Sequence, residues 1–127
     1  ARLVRESPMA YNPDNVFAKI LRGETPSTKL YEDDFALAFN DIGAVLPIHV
    51  LVVPKGAYEN QADFISNGSD AEVLGFWRAV SVAAELAGVV DAGYRLIVNT
   101  GDDGGQEVSH FHVHILGGRP VGRMVSD

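Results

Sequence analysis

Apolar residues recur along this chain in two periods, and polar or glycine-rich breaks separate them. Val16, Phe17, Ile20 and Leu21 repeat at helical spacing behind Asn12, a capping residue, and Pro13, which suits the first helical position; Gly23 stops the run. A short helix with one face on the core is predicted there. Lys29 to Glu32 and Phe35 to Asn40 read as strands around Asp33-Asp34, with Phe35, Leu37 and Phe39 on one face and Ala36, Ala38 and Asn40 on the other. Ile48 to Val53 is a third strand, bracketed by Pro47 and Pro54, and His49 is its one polar member. A loop of mainly polar residues follows. Ser69 and Glu72 then form a capping box at the head of a long helix reaching about Ala87. Its predicted buried stripe is Val73, Trp77, Val80, Ala84 and Ala87, with Arg78, Ser81 and Glu85 facing away and Gly88 at its end. Tyr94 to Asn99 and Phe111 to Leu116 complete the pattern as two more strands, joined by Gly101-Asp102-Asp103-Gly104-Gly105.

This order of elements lacks the strict strand–helix alternation of a doubly wound parallel sheet. It predicts an α+β fold: about five strands in a mainly antiparallel sheet with two helices. The 127 residues fit one domain. Residues 1–11 are expected to be a loose arm or a cloning remnant, and residues 12–127 the domain. Composition narrows the chemistry further. With no cysteine, disulfides, thiolate nucleophiles and cysteine-bound metals are excluded. A net charge of −7 argues against a broad nucleic-acid-binding face. No apolar run approaches the roughly 20 residues that cross a bilayer, and no signal-peptide stretch opens the chain, so a cytoplasmic protein without a membrane partner is expected.

The candidate chemistry is concentrated near the C-terminus. His110, His112 and His114 are three of four histidines and alternate with Phe111, Val113 and Ile115. On a strand, that alternation puts three imidazoles on one face and the apolar residues on the other. The fourth, His49, shares a strand face with Leu51 and Val53, so a helper group and an apolar surface are predicted side by side. Gly104-Gly105-Gln106, just upstream, permits a tight turn whose amide N–H groups can cradle an anion.

The run Gly105-Gln106-Glu107-Val108-Ser109-His110-Phe111-His112-Val113-His114-Ile115-Leu116-Gly117-Gly118-Arg119 resembles the signature of the histidine triad (HIT) superfamily, and its Gly-Gly-Arg ending resembles the Hint branch. The likeness extends through Tyr94 to Gly101, Phe39 to Ile42, Pro47 to Pro54 and Phe17 to Ile20, covering nearly the whole chain from Asn15 to Arg119. It implies a single HIT domain, a purine nucleoside monophosphate ligand, and hydrolysis of the P–N bond of nucleoside 5′-phosphoramidates through a nucleotidyl-histidine intermediate. It implies no cofactor and no metal. By position, His112 matches the nucleophile and His114 the residue that hydrogen-bonds the phosphate and leaving group, with His110 and His49 in support. Asp41 matches the ribose-hydroxyl acceptor, and Asn99, Gly105, Gln106 and Glu107 the phosphate side. Phe17, Phe39, Asn40, Ile42 and Leu51 match the nucleoside pocket. A homodimer is implied as well, since Hint relatives pair through the long helix and a sheet edge.

The residue chemistry agrees. A neutral imidazole with one nitrogen hydrogen-bonded to a carbonyl presents the other as a lone pair suited to attack on phosphorus, and neighbouring imidazoles can donate protons. Asp41, beyond a strand end, has the acceptor geometry for a diol. Glu107 departs from the animal Hint pattern, in which a serine is common; an ionised carboxylate only accepts hydrogen bonds and repels a phosphate aimed at it. Ser109 replaces a common aromatic residue, and the stretch after Arg119 lacks the aromatic tail of some relatives. Three other readings stay open on the residues: a zinc hydrolase using His49, His110 and His112, a dinucleoside polyphosphate hydrolase, and a non-catalytic nucleotide sensor or scaffold.

Overall fold

The computed structural model describes residues 11–126 and contains one sheet with helices on both faces. The elements are α1 (Val16–Leu21), β1 (Lys29–Glu32), β2 (Ala36–Asn40), β3 (Ile48–Pro54), α2 (Gln61–Asn67), α3 (Asp70–Leu86), β4 (Arg95–Ile97) and β5 (Val113–Gly117). The strands lie in the order β1-β2-β3-β5-β4, and every adjacent pair is antiparallel. The α+β class and the five strands are as expected from the sequence, with three helices among the described residues in place of two.

Alternation along the strands divides the core. Ala36 and Ala38 of β2, Val50 and Val52 of β3, and Val113 and Ile115 of β5 face α3, where they meet Phe76, Ala79, Val80, Ala83 and Ala84. Leu37, Phe39, Leu51 and Val53 face the other way, against Phe17 and Ile20 of α1. The small Ala79 and Ala83 let α3 approach the alanines of β2, while Phe76 closes an aromatic cluster with Phe64 and Phe111, each about 5 Å from it by ring centroid. The buried stripe of α3 is therefore rotated from the predicted one. Val73, Trp77 and Ala87 only flank the core, whereas Arg78, Ser81 and Glu85 are exposed as expected.

Local chemistry explains the remaining differences. Asn12-Pro13-Asp14 forms a turn, and Asn15 rather than Asn12 caps α1 by accepting from the Ala18 N–H at 2.9 Å. Helix α2 leaves no mark in the sequence pattern because Phe64 is its one buried residue, and a single apolar position shows no period. The capping box of Ser69 and Glu72 forms as expected. Phe35 lies in the turn before β2 and covers Gly75 of α3, where a Cβ atom would collide with its ring, so it does not continue the Leu37–Phe39 face. Strand β5 begins at Val113, because the Phe111 N–H donates to the carbonyl of Tyr58 at 2.7 Å instead of joining the ladder. Strand β4 is half the predicted length. Residues 1–10 of the expected N-terminal arm lie outside the described residues, but Tyr11, its last member, docks on His110.

Candidate active site

A cleft of about 440 Å³ opens between α1 and the face of the sheet opposite α3. His49, His112 and His114 line it, together with Asp41, Asn40, Ile42, Phe39, Phe17, Leu51, Asn99, Gly105 and Glu107. Three antiparallel neighbours bring these residues together: Phe39 pairs with Leu51, Leu51 with His114, and His114 with Ile97 of β4, two residues before Asn99. Ile42 is fully exposed at the rim. Val16 and Ile20 also line the cleft; they share the helical period of Phe17, which by itself marks them only as core.

Two expected site residues lie elsewhere. His110 is completely buried behind the cleft. Its Nε2–H donates to the Pro54 carbonyl at 3.0 Å, and its Nδ1 accepts from the Tyr11 hydroxyl at 2.6 Å. Gln106 is also off the cleft and has its whole amide engaged: Nε2 donates to the carbonyls of Glu59 (2.6 Å) and Val108 (2.9 Å), and Oε1 accepts from the Gly101 N–H at 3.1 Å. It ties the loop down. Tyr11 carries no signal in the sequence, since its partner is 99 residues away.

The backbone fixes the tautomers of the remaining imidazoles. A carbonyl can only accept, so Nδ1 of His112, 2.7 Å from the His110 oxygen, carries the proton and leaves Nε2 with a lone pair. The Val45 N–H donates to Nδ1 of His49 at 3.2 Å, which puts that ring's proton on Nε2. That proton is directed at Nδ1 of His114, 2.9 Å away, with Oδ2 of Asp41 at 3.3 Å. His114 therefore carries its own proton on Nε2. The rings of His112 and His114 are 5.1 Å apart, and the edge-on ring of Phe17 is 4.8 Å from His112. A lone pair and an N–H donor thus stand side by side.

Burial disfavours the charged form of the three triad rings, His110, His112 and His114. It holds His110 down to about 4, and His114 down to about 4 with added repulsion from His112 and His49. Burial also lowers His112, against the opposing pull of the His110 carbonyl and the carboxylates of Asp41 and Glu107. Among the described residues, the group able to hold a metal ion is Asp41, His49 and His114, whose ligand atoms lie within 4.8 Å of one another. The trio His49, His110 and His112 is not assembled, because both nitrogens of His110 are engaged and face away from the cleft. No helix among the described residues is long and apolar enough to cross a membrane.

The chain is similar to known proteins over most of its length. The HIT domain family matches residues 22–121. A HIT-like protein of Azospirillum brasilense is 48% identical over 116 residues, covering 91% of this chain and 95% of that protein. The purine nucleoside phosphoramidase of Escherichia coli is 43% identical over 116 residues, covering 89% of this chain and 94% of the enzyme. Among solved structures, a histidine triad protein from Clostridium difficile superposes with a TM-score of 0.81 at 43% identity, covering 91% of this chain and all of that one.

Proposed function

Because this chain belongs to the HIT domain family, we propose that it is a nucleoside phosphoramidase, a hydrolase that cleaves the P–N bond of purine nucleoside 5′-phosphoramidates. The observation that carries this reading is the tautomer of His112: its Nδ1–H is committed to the His110 carbonyl, and its Nε2 lone pair borders the cleft beside the Nε2–H of His114. In the first step Nε2 of His112 forms a bond to phosphorus as the P–N bond to the amine breaks. The substrate nitrogen enters protonated from solvent, and the lone pair it gains as the P–N bond breaks accepts a hydrogen bond from the Nε2–H of His114. In the second step water attacks phosphorus, the bond to His112 breaks, and the water proton passes to solvent. Nucleoside monophosphate leaves, and His112 regains its starting state. Phe17, Phe39 and Leu51 supply an apolar wall for the base, Asp41 faces the ribose hydroxyls, and Asn99 and Gly105 hold the phosphate side.

Substitution of His112 by Ala should reduce turnover of an adenosine phosphoramidate by several orders of magnitude, roughly the scale of a deleted nucleophile, while adenosine monophosphate still binds. Intact-mass measurement after a rapid acid-free quench should find one added nucleoside monophosphate on the wild-type chain and none on His112→Ala. A chelator should leave the rate unchanged. Near-normal turnover by the variant, or loss of activity on chelation with recovery in zinc, would sink the covalent reading.

A further inference from the structure

We propose that Glu107 is a specificity-determining residue that selects the leaving group by its charge, favouring a cationic amine on phosphorus and disfavouring a polyphosphate. The inference rests on the phosphoryl-transfer reading above and names the leaving-group class of that site.

A cleft that receives a phosphate would ordinarily place a lysine or arginine against it. Among the described residues that line this cleft there is neither, and its two formal charges are the carboxylates of Asp41 and Glu107. Asp41 is committed inward, accepting from the Gly43 N–H at 2.8 Å and facing His49. No hydrogen bond or ion pair joins Glu107 to another described residue, and the ion pairs Arg22–Glu24, Lys29–Glu32 and Lys55–Glu32 lie elsewhere. Its charge is left for whatever occupies the cleft.

The position of that charge is built into the loop. On the N-terminal side of Glu107, the Gln106 amide is tied to Glu59, Val108 and Gly101; on the other, Val108 packs against the α1 cluster. The peptide bearing Glu107 is thus pinned on both sides, and its carboxylate is close enough to His112 to oppose the effect of burial on that ring. The sheet order then separates the two ends of a substrate. Phe39 and Leu51 lie on the β2–β3 side of β5, and Asn99 follows β4 on the other side, with Gly105 against it. A nucleoside on the apolar side sends the group leaving from phosphorus toward Asn99 and Glu107. An ammonium there is attracted by the exposed carboxylate of Glu107, an attraction that salt screens, and each further phosphate is repelled.

The test compares two adenosine 5′-phosphoramidates of equal size, one with a 2-aminoethyl tail and one with a neutral propyl tail, alongside a diadenosine polyphosphate. Wild-type chain should show kcat/KM about tenfold higher for the cationic compound, a preference that shrinks in high salt. Glu107→Gln keeps the shape and removes the charge, so it should bring that ratio close to one and raise the rate on the polyphosphate relative to the propyl compound. An unchanged ratio in Glu107→Gln would overturn the proposal. If neither phosphoramidate is turned over, the hydrolase reading fails separately. Charge selection is then read by calorimetry, from the affinities of wild-type and Glu107→Gln chains for the 2-aminoethyl and propyl esters of adenosine 5′-phosphate, with the same ratio deciding it.

Discussion

His49 and His114, 65 residues apart in sequence, share one proton across 2.9 Å. The Val45 N–H fixes which ring donates, and so it fixes which nitrogen of His114 is left to donate a hydrogen bond to a leaving group. His49 is by this geometry a positioning residue. His49→Ala should lower kcat about 10- to 100-fold by freeing the tautomer of His114, whereas His49→Gln, whose amide can still donate, should recover part of the loss. Equal defects in both variants, with the pH profile of the wild-type chain retained, would show that the hydrogen bond has no such role.

Burial of the triad predicts a pH dependence of both stability and rate. An ordinary histidine titrates near 6.5, while His110 and His114 are held to about 4 in the folded chain. Between these values the unfolded chain binds protons that the folded chain does not. Stability is therefore full above about pH 6.5 and declines as pH falls toward 4. The sealed ring of His110 contributes about 1.4 kcal/mol for each pH unit that separates its folded and unfolded titrations, and the partly exposed His114 contributes less. Urea denaturation at pH 7.5 and pH 5 should show the decline, and His110→Gln should show a smaller one. The acid limb of kcat/KM should fall below 6.5, because burial lowers His112 as well.

Gly104 is required by close backbone approach. A Cβ atom there would collide with the backbone of Thr100, while the Gly104 carbonyl accepts from Nδ2 of Asn99 at 2.7 Å. Gly104→Ala should displace the loop that carries Gly105 and Glu107. We expect a stability loss of about 1–3 kcal/mol by denaturant titration, with a raised KM for phosphoramidates. A wild-type KM in a destabilised variant would confine the glycine to a structural role.

A homodimer is expected in solution. Helix α3 buries Phe76 and Val80 in its own core, yet leaves Leu74 and Leu86 each 54% exposed, and the edge strand β4 leaves Leu96 exposed as well. A second copy covering these residues satisfies both elements. Light scattering at micromolar concentration should give twice the chain mass, and the double substitution Leu74→Asp, Leu86→Asp should halve it. A monomeric wild-type chain would refute the expectation.

The alternation of Phe111, Val113 and Ile115 with His110, His112 and His114 is enough, by itself, to put apolar residues on one side and imidazoles on the other, because strand geometry depends only on neighbours in the chain. The same local logic exposes the capping box of α3, the strands β1 and β2 around Asp33-Asp34, and the His49–Leu51–Val53 face. The histidines are nevertheless not equivalent. Only packing decides that His110 is sealed between Tyr11 and Pro54 while His112 and His114 reach the cleft. Packing also rotates the buried face of α3 toward Phe76, since the aromatic cluster it joins comes from Phe64 and Phe111, on a helix with no period and a segment outside the ladder. Tautomers are beyond the reach of sequence for the same reason. Each is set by a single hydrogen-bond partner, the His110 carbonyl for His112 and the Val45 amide for His49, and a sequence states which groups exist but not which backbone atom lies close to a ring nitrogen.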